Sequence, residues 1–235
     1  MKSKKKIKLF ADGLNINEFG DDFGIEIDGY TFNPSLFKKN GAKDYLEYSK
    51  KIIEKCEFKP VSLEVFADEE NEMIEQAIIL DGLGSNVYVK IPITFTNKEF
   101  TTGVISKLVD KNIKLNITAI FTLDQINKIL PIVNSTSSIL SVFAGRIFDC
   151  GIDANKLMSE ISNKIKDTNC ELLWASPRMP YDYISAIKTG SDIITMQGSQ
   201  IKKLKLFGKS AEEYSLETVK QFYDDAKSSG YKIEF

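Results

Sequence analysis

Lys90 stands inside an apolar, strand-like run, Val87-Tyr88-Val89-Lys90-Ile91-Pro92-Ile93-Thr94. Burial there strips an ammonium of its hydration and favours the neutral amine, a nucleophile that condenses with carbonyl groups. A lysine at a strand edge, its head in water, is the plainer alternative. The surrounding residues argue for chemistry. Asp12, Asn33, Glu64, Asn116, Thr118, Ser141 and Ser176 each fall near the C-terminal end of a strand-like run, with Phe143, Arg146 and Arg178 close behind the sixth and seventh runs. Side chains at i and i+2 share one face of a strand, so Ser62 goes with Glu64, Asn116 with Thr118 and Ser141 with Phe143.

Each of these residues also has an ordinary explanation. Asp12 before Gly13 and Asn33 before Pro34 suit turns, and Glu64 suits an ion pair. Asn116 suits a cap on a backbone group, Thr118 any strand, and Arg146 and Arg178 a charged surface. Together, however, the ordinary explanations place many separate polar groups on one buried face, and each of them costs free energy unless satisfied. A shared site accounts for them at once.

Composition narrows the chemistry. The chain contains no histidine, which removes imidazole acid/base catalysis, His-based triads and His-ligated zinc. Cys56, Cys150 and Cys170 are odd in number and lack metal-ligand spacing, a pattern that fits a reducing cytoplasm. Catalysis is left to lysine, carboxylates, hydroxyls and water. A formal charge of −2 predicts no nucleic-acid partner, and the lysines at 2, 4, 5, 6 and 8 read as a solvated N-terminal arm over residues 1–6. Lys8 and Asp12 interrupt the apolar stretch a signal peptide needs, and no segment approaches the ~20 apolar residues of a membrane span.

The elements that position these residues are regular. β-rich runs recur at residues 7–12, 30–33, 61–66, 87–93, 115–120, 139–143, 171–175 and 192–196. Helical patterns separate most of them, with Ala42, Tyr45, Leu46, Ser49, Ile52, Ile53 and Cys56 stepping at three and four, and Leu157, Met158, Ile161 and Ile165 likewise. Thr96 with Glu99, Thr122 with Gln125 and Ser210 with Glu213 have capping-box spacing and mark helix starts. Residues 14–29, rich in Gly, Asp and Asn, form the least regular crossover. Eight strands alternating with helices predict an α/β chain folded as one (β/α)8 TIM barrel over residues 1–235, whose active site lies at the C-terminal ends of the strands. An open doubly wound sheet is the other arrangement, but no Gly-rich phosphate loop follows the first strand.

With the motifs in this order, the chain resembles the transaldolase family along nearly the whole barrel, from Phe10-Ala11-Asp12 to Ala175-Ser176-Pro177-Arg178. Thr31-Phe32-Asn33-Pro34-Ser35 is similar to the family's Thr-Thr-Asn-Pro-Ser signature, and Ser62-Leu63-Glu64-Val65, Val89-Lys90-Ile91-Pro92, Asn116-Ile117-Thr118 and Ser141-Val142-Phe143-Ala144-Gly145-Arg146 follow in sequence. Such pieces in order on the expected strands are specific where any one is weak.

The resemblance implies that Lys90 is the Schiff-base lysine and that Asp12 and Glu64 move protons, with Thr118 helping Glu64 hold a water. It implies that Asn33, Asn116 and Ser176 bind the dihydroxyacetone part of a ketose phosphate, that Ser141 lines the same pocket beside Phe143, and that Arg146 and Arg178 bind phosphate, for which a planar guanidinium is suited. The activity implied is transfer of dihydroxyacetone from sedoheptulose 7-phosphate or fructose 6-phosphate to an aldose phosphate in the pentose phosphate pathway, with no cofactor and no metal. The implied partners are sugar phosphates, and homo-oligomers are compatible with this reading.

Two departures bear on it. Phe32 replaces the second threonine of the signature, and Gly13 stands where a hydroxyl residue often follows the aspartate. The chain's length is close to that of the related fructose 6-phosphate aldolases, but those carry Gln and Tyr where this chain has Glu64 and Phe143. An aldolase that releases free dihydroxyacetone, and a non-catalytic sugar-phosphate-binding barrel, are the alternatives to transfer.

Overall fold

The computed structural model describes residues 6–234. Eight parallel strands pair in sequence order and close into a barrel: β1 (Lys8–Asp12), β2 (Gly29–Thr31), β3 (Val61–Glu64), β4 (Val87–Pro92), β5 (Leu115–Ile120), β6 (Ile139–Val142), β7 (Glu171–Trp174) and β8 (Ile193–Met196). The last strand returns to the first, setting Phe10 opposite Thr195. The helices are α1 (Pro34–Lys39), α2 (Tyr45–Lys55), α3 (Glu70–Asp81), α4 (Thr102–Asp110), α5 (Leu123–Val133), α6 (Ala144–Asp149), α7 (Ala154–Ile165), α8 (Asp182–Lys188), α9 (Gly198–Lys203) and α10 (Ala211–Ser229).

All eight expected runs hold a strand. Several end a residue or two early; at the end of β2, Asn33 leaves the ladder to cap α1, its Oδ1 accepting from the Leu36 N–H at 2.9 Å. In β5 the register shifts between Ile117 and Ile120 beside Ala119, whose φ of 59° no regular strand residue adopts.

The helix starts are read correctly at two of three places. Thr122 and Gln125 form a reciprocal capping box, and Ser210 Oγ accepts from the Glu213 N–H at 3.1 Å. Thr96 with Glu99 does not start a helix, which begins instead at Thr102. Thr96 gives both its N–H, at 2.8 Å, and its hydroxyl to Asp68, and Lys98 adopts a φ of 76°, so this segment is a loop tying the β3 and β4 ends together. The irregular first crossover contains one capped turn, Ile16–Glu18, with a capping box from Asn15.

Alternation builds the barrel interior in layers. Phe10, Ile139, Leu173, Ala175 and Ile193 form an apolar cluster with Tyr88 and Phe143 against it. Two residues further along their strands come Asp12, Lys90, Ser141 and Thr195. Burying each large apolar side chain is worth about 1.5–3 kcal/mol, so this floor and the helix-facing Val61, Val89, Ile91, Ile117 and Leu172 sustain a polar layer above.

Residues 1–5 of the basic arm lie outside the described residues; Lys6 is exposed, 3.6 Å from Glu26. The chain resolves into two compact units, one up to Lys202 and one from Lys203 on. In the second, α10 ends at Gly230, which takes a φ of 67°. Among the described residues no helix is long and apolar enough to cross a membrane.

Candidate active site

Lys90 enters the barrel because β4 alternates: Val87, Val89 and Ile91 face the helices and Tyr88 and Lys90 face inward. It is 5% exposed. Its Nζ lies 2.8 Å from Glu64 Oε2 and donates to the Phe32 carbonyl at 3.1 Å. Glu64 and Lys90 are paired opposite each other in the β3–β4 ladder, so the contact follows from the register. Tyr45 steadies this end of β3, its hydroxyl donating to the Glu64 carbonyl at 2.7 Å and accepting from the Glu64 N–H at 3.1 Å.

Above Lys90 opens a cavity of about 310 Å³. Asp12, Asn33, Thr118, Ser141, Phe143, Arg146, Ser176 and Arg178 line it with the lysine. Asp12 accepts from the Thr31 hydroxyl at 2.7 Å. Desolvation holds its carboxyl above the usual range, against the opposing pull of Lys90 and Thr31 and with a smaller push from Glu64. The Thr118 hydroxyl is buried and finds no hydrogen-bond partner, a donor left for a small ligand or water.

Two of the expected residues stand back from the cavity wall. Asn116 is fully buried, its Nδ2 donating to Ser62 Oγ at 3.0 Å and its Oδ1 accepting from Ser141 Oγ at 2.6 Å, so it braces Ser141. Glu64 reaches the site through Lys90. Asn33 lines the cavity but commits its oxygen to capping α1, which leaves its amide nitrogen as the group it can offer.

At the outer rim, Arg178 donates from Nη1 to Ser176 Oγ at 3.0 Å and from Nε to Asp149 Oδ1 at 2.9 Å, with a further contact from Nη2 to Asp149. The hydrogen bonds hold the Asp149 carboxyl below its ordinary value and raise the guanidinium further. Arg146 lies over the Phe143 ring, 5.1 Å from its centroid, and Phe143 stacks on Phe121 at 5.7 Å. Gly145 is forced by a close approach: a Cβ there would sit 1.6 Å from the Ser176 carbonyl oxygen. That contact sets α6, and with it Arg146, against the Ser176 turn, where Ser176 itself takes a φ of 60°.

The two departures acquire physical explanations. Phe32 is fully buried and packs on Phe37 at 5.4 Å, so it contributes to the core and presents only its carbonyl to the site. Gly13 takes a φ of 67°, a conformation that disfavours a side chain, and a Cβ would meet Leu36 at 2.6 Å.

A family model described as Transaldolase/Fructose-6-phosphate aldolase matches residues 9–233. The chain belongs to the transaldolase/fructose-6-phosphate aldolase family. A relative from Thermoplasma volcanium named "Probable transaldolase" is 34% identical over 229 residues, covering 94% of this chain and 99% of its own. One of the same name from Methanococcus maripaludis strain C7 is 34% identical over 201 residues, with 84% and 89% covered. One from Bartonella henselae is 29% identical over 230 residues, with 97% and 100% covered. A solved structure described as "Native KDPGal structure" superposes with a TM-score of 0.54 at 13% identity over 90% of each chain, which speaks for the barrel alone.

For this family member the sequence reading missed Thr31, Thr195, Gln197, Gln200 and Ser35 as cavity lining, and Asp149 as the partner of Arg178. Thr195 and Gln197 carried the same i, i+2 signal at the end of the eighth run as the residues it did select. Asp149 carried none, because its pairing joins two segments 29 residues apart.

Proposed function

We propose that the chain is a class I transaldolase, moving a dihydroxyacetone unit from fructose 6-phosphate or sedoheptulose 7-phosphate to an aldose phosphate through an imine on Lys90. The observation that carries this reading is the buried Lys90 amine, 2.8 Å from Glu64 and opening on a cavity that Asp12 also lines.

The neutral amine of Lys90 attacks the ketone carbon, and the carbinolamine loses water to give an imine. Glu64, in contact with Nζ, takes the proton the ammonium must shed and returns it, through a water beside Thr118, to the departing hydroxyl. The protonated imine then draws electrons from the C3–C4 bond. As that bond breaks, Asp12 accepts the C4 hydroxyl proton, the aldose phosphate leaves, and a three-carbon enamine stays on Lys90. An incoming aldehyde reverses these steps: the enamine carbon attacks it, Asp12 protonates the new alkoxide, and water releases the product. The iminium is the electron sink, so the scheme calls for no metal and no cofactor.

Arg146 and Arg178 at the rim suit the phosphate of donor and acceptor, and Ser141 and Asn33 suit the hydroxyls of the bound three-carbon unit. Phe143 favours transfer over release, since its ring lines the cavity and offers the enamine no proton. Fructose 6-phosphate with erythrose 4-phosphate should yield glyceraldehyde 3-phosphate and sedoheptulose 7-phosphate, with Lys90→Arg inactive. Failure to form a seven-carbon sugar from this pair, with free dihydroxyacetone as the product, would replace transfer by aldol cleavage.

A further inference from the structure

Asp12 of β1 is flanked by Thr31 on β2 and Thr195 on β8, two threonines 164 residues apart in the chain that meet because the barrel closes. Both are buried, Thr31 at 3% and Thr195 at 5% exposure. Thr31 Oγ1 lies 2.7 Å from Asp12 Oδ1 and 2.5 Å from Thr195 Oγ1. A hydroxyl has one hydrogen to give. When Asp12 is ionised its oxygen only accepts, so Thr31 spends its hydrogen on Asp12 and Thr195 must be the donor in the second contact.

We propose that Thr195 and Thr31 are positioning residues for the proton transfer at Asp12: a one-way hydroxyl chain, Thr195 to Thr31 to Asp12, that occupies Oδ1 and leaves Oδ2 to take the proton of the substrate. The proposal rests on the reading of Asp12 as the group that accepts the C4 hydroxyl proton. The chain has a second consequence. A hydrogen bond donated to a carboxylate stabilises the anion, and each hydroxyl in series polarises the next. It therefore opposes the desolvation that pushes Asp12 toward its neutral, non-accepting form. The other charged groups facing Asp12 are Lys90 on β4, which also favours the anion, and Glu64 at the end of β3, which disfavours it. Both act on Asp12 through charge, whereas Thr31 acts through a hydrogen bond, so the threonine contribution is separable by substitution.

The test is the pH dependence of kcat for fructose 6-phosphate cleavage in wild type, Thr31→Val, Thr31→Ser, Thr195→Val and Thr195→Ser. Each valine keeps the shape and removes the hydroxyl. Thr31→Val should move the acidic limb of kcat to higher pH by about one unit, the effect of one hydrogen bond to a charged group, while KM changes by less than about threefold. Thr195→Val should move the limb in the same direction by a smaller amount, and both serine variants should restore it. If Thr31→Val does not fold, Thr31→Ala carries the same expectation. A limb that stays at the wild-type pH in both valine variants, or a loss of rate equal at every pH, overturns the proposal. Asp12→Asn separates the two readings: retention of cleavage activity by that variant removes Asp12 from the reaction itself, whereas its loss together with unshifted threonine variants sinks only the hydroxyl chain.

Discussion

Lys90 and Glu64 face each other across the β3–β4 ladder, and their side chains meet at 2.8 Å inside the barrel. A buried ion pair of this kind is weak evidence for stability, because the desolvation of two charges offsets most of their attraction. Its position suggests a different use. In the proposed mechanism the amine must become neutral before it attacks, and the Glu64 carboxylate is the proton acceptor in contact with it.

Glu64→Gln keeps the shape and a hydrogen bond to Lys90 but cannot accept a proton. Turnover should fall roughly 10²- to 10⁴-fold, the range for loss of a general acid/base group. The slow steps should be imine formation and hydrolysis, so single-turnover measurements should show delayed formation of the covalent intermediate. Normal imine formation in this variant would take Glu64 out of the role given to it.

Asp12 sets a pH dependence of stability with a definite sign. Its folded carboxyl binds a proton more tightly than the ordinary carboxylate value of 3.8, so folding takes up a proton above that pH. The stability it contributes is complete below 3.8 and is lost as pH rises through the higher folded value. Asp12→Asn lacks this dependence and retains an acceptor for Thr31. Its Tm should exceed that of wild type at neutral pH, and the two should converge at acidic pH. A Tm difference that stays constant with pH would contradict the shift.

Arg146 and Arg178 should discriminate phosphorylated from unphosphorylated donors. Alanine at either position should raise KM for fructose 6-phosphate by roughly one to two orders of magnitude, as expected from a hydrogen bond to a charged group worth ~1.5–3 kcal/mol. KM for fructose itself should hardly change. Equal losses on both sugars would assign the arginines to the fold, with Arg178 serving mainly its contacts to Asp149 and Ser176.

Phe143→Tyr places a hydroxyl on a ring that lines the cavity with Lys90, where the proposed enamine forms. Release of free dihydroxyacetone from fructose 6-phosphate should rise relative to transfer onto erythrose 4-phosphate, assayed in one preparation. An unchanged ratio would show that Phe143 does not govern the fate of the enamine.

The barrel and most of this site were legible in the sequence because both follow from short-range periodicity. Strand alternation puts Lys90 above Tyr88 and Asp12 above Phe10, and eight such runs fix the closure. What was not legible depends on contacts between distant segments. The Thr96 and Glu99 spacing imitates a capping box, but Asp68, 28 residues earlier, takes the hydroxyl. Asn116 has the right face and the right neighbour, yet its amide bonds Ser62 on β3 and Ser141 on β6 behind the cavity wall, a pairing that spans four strands of the barrel. Phe32 departs from the signature in a position whose side chain points into the core, so the departure leaves the cavity lining untouched.

The central claim is a covalent bond between substrate and Lys90. Fructose 6-phosphate and borohydride should together reduce the intermediate to a stable secondary amine, adding a three-carbon dihydroxyacetone-derived fragment to the peptide that contains Lys90, detected by mass spectrometry. Lys90→Arg should show no label, because its guanidinium stays protonated. Label on a different lysine, or no label with either fructose 6-phosphate or sedoheptulose 7-phosphate, would contradict the account.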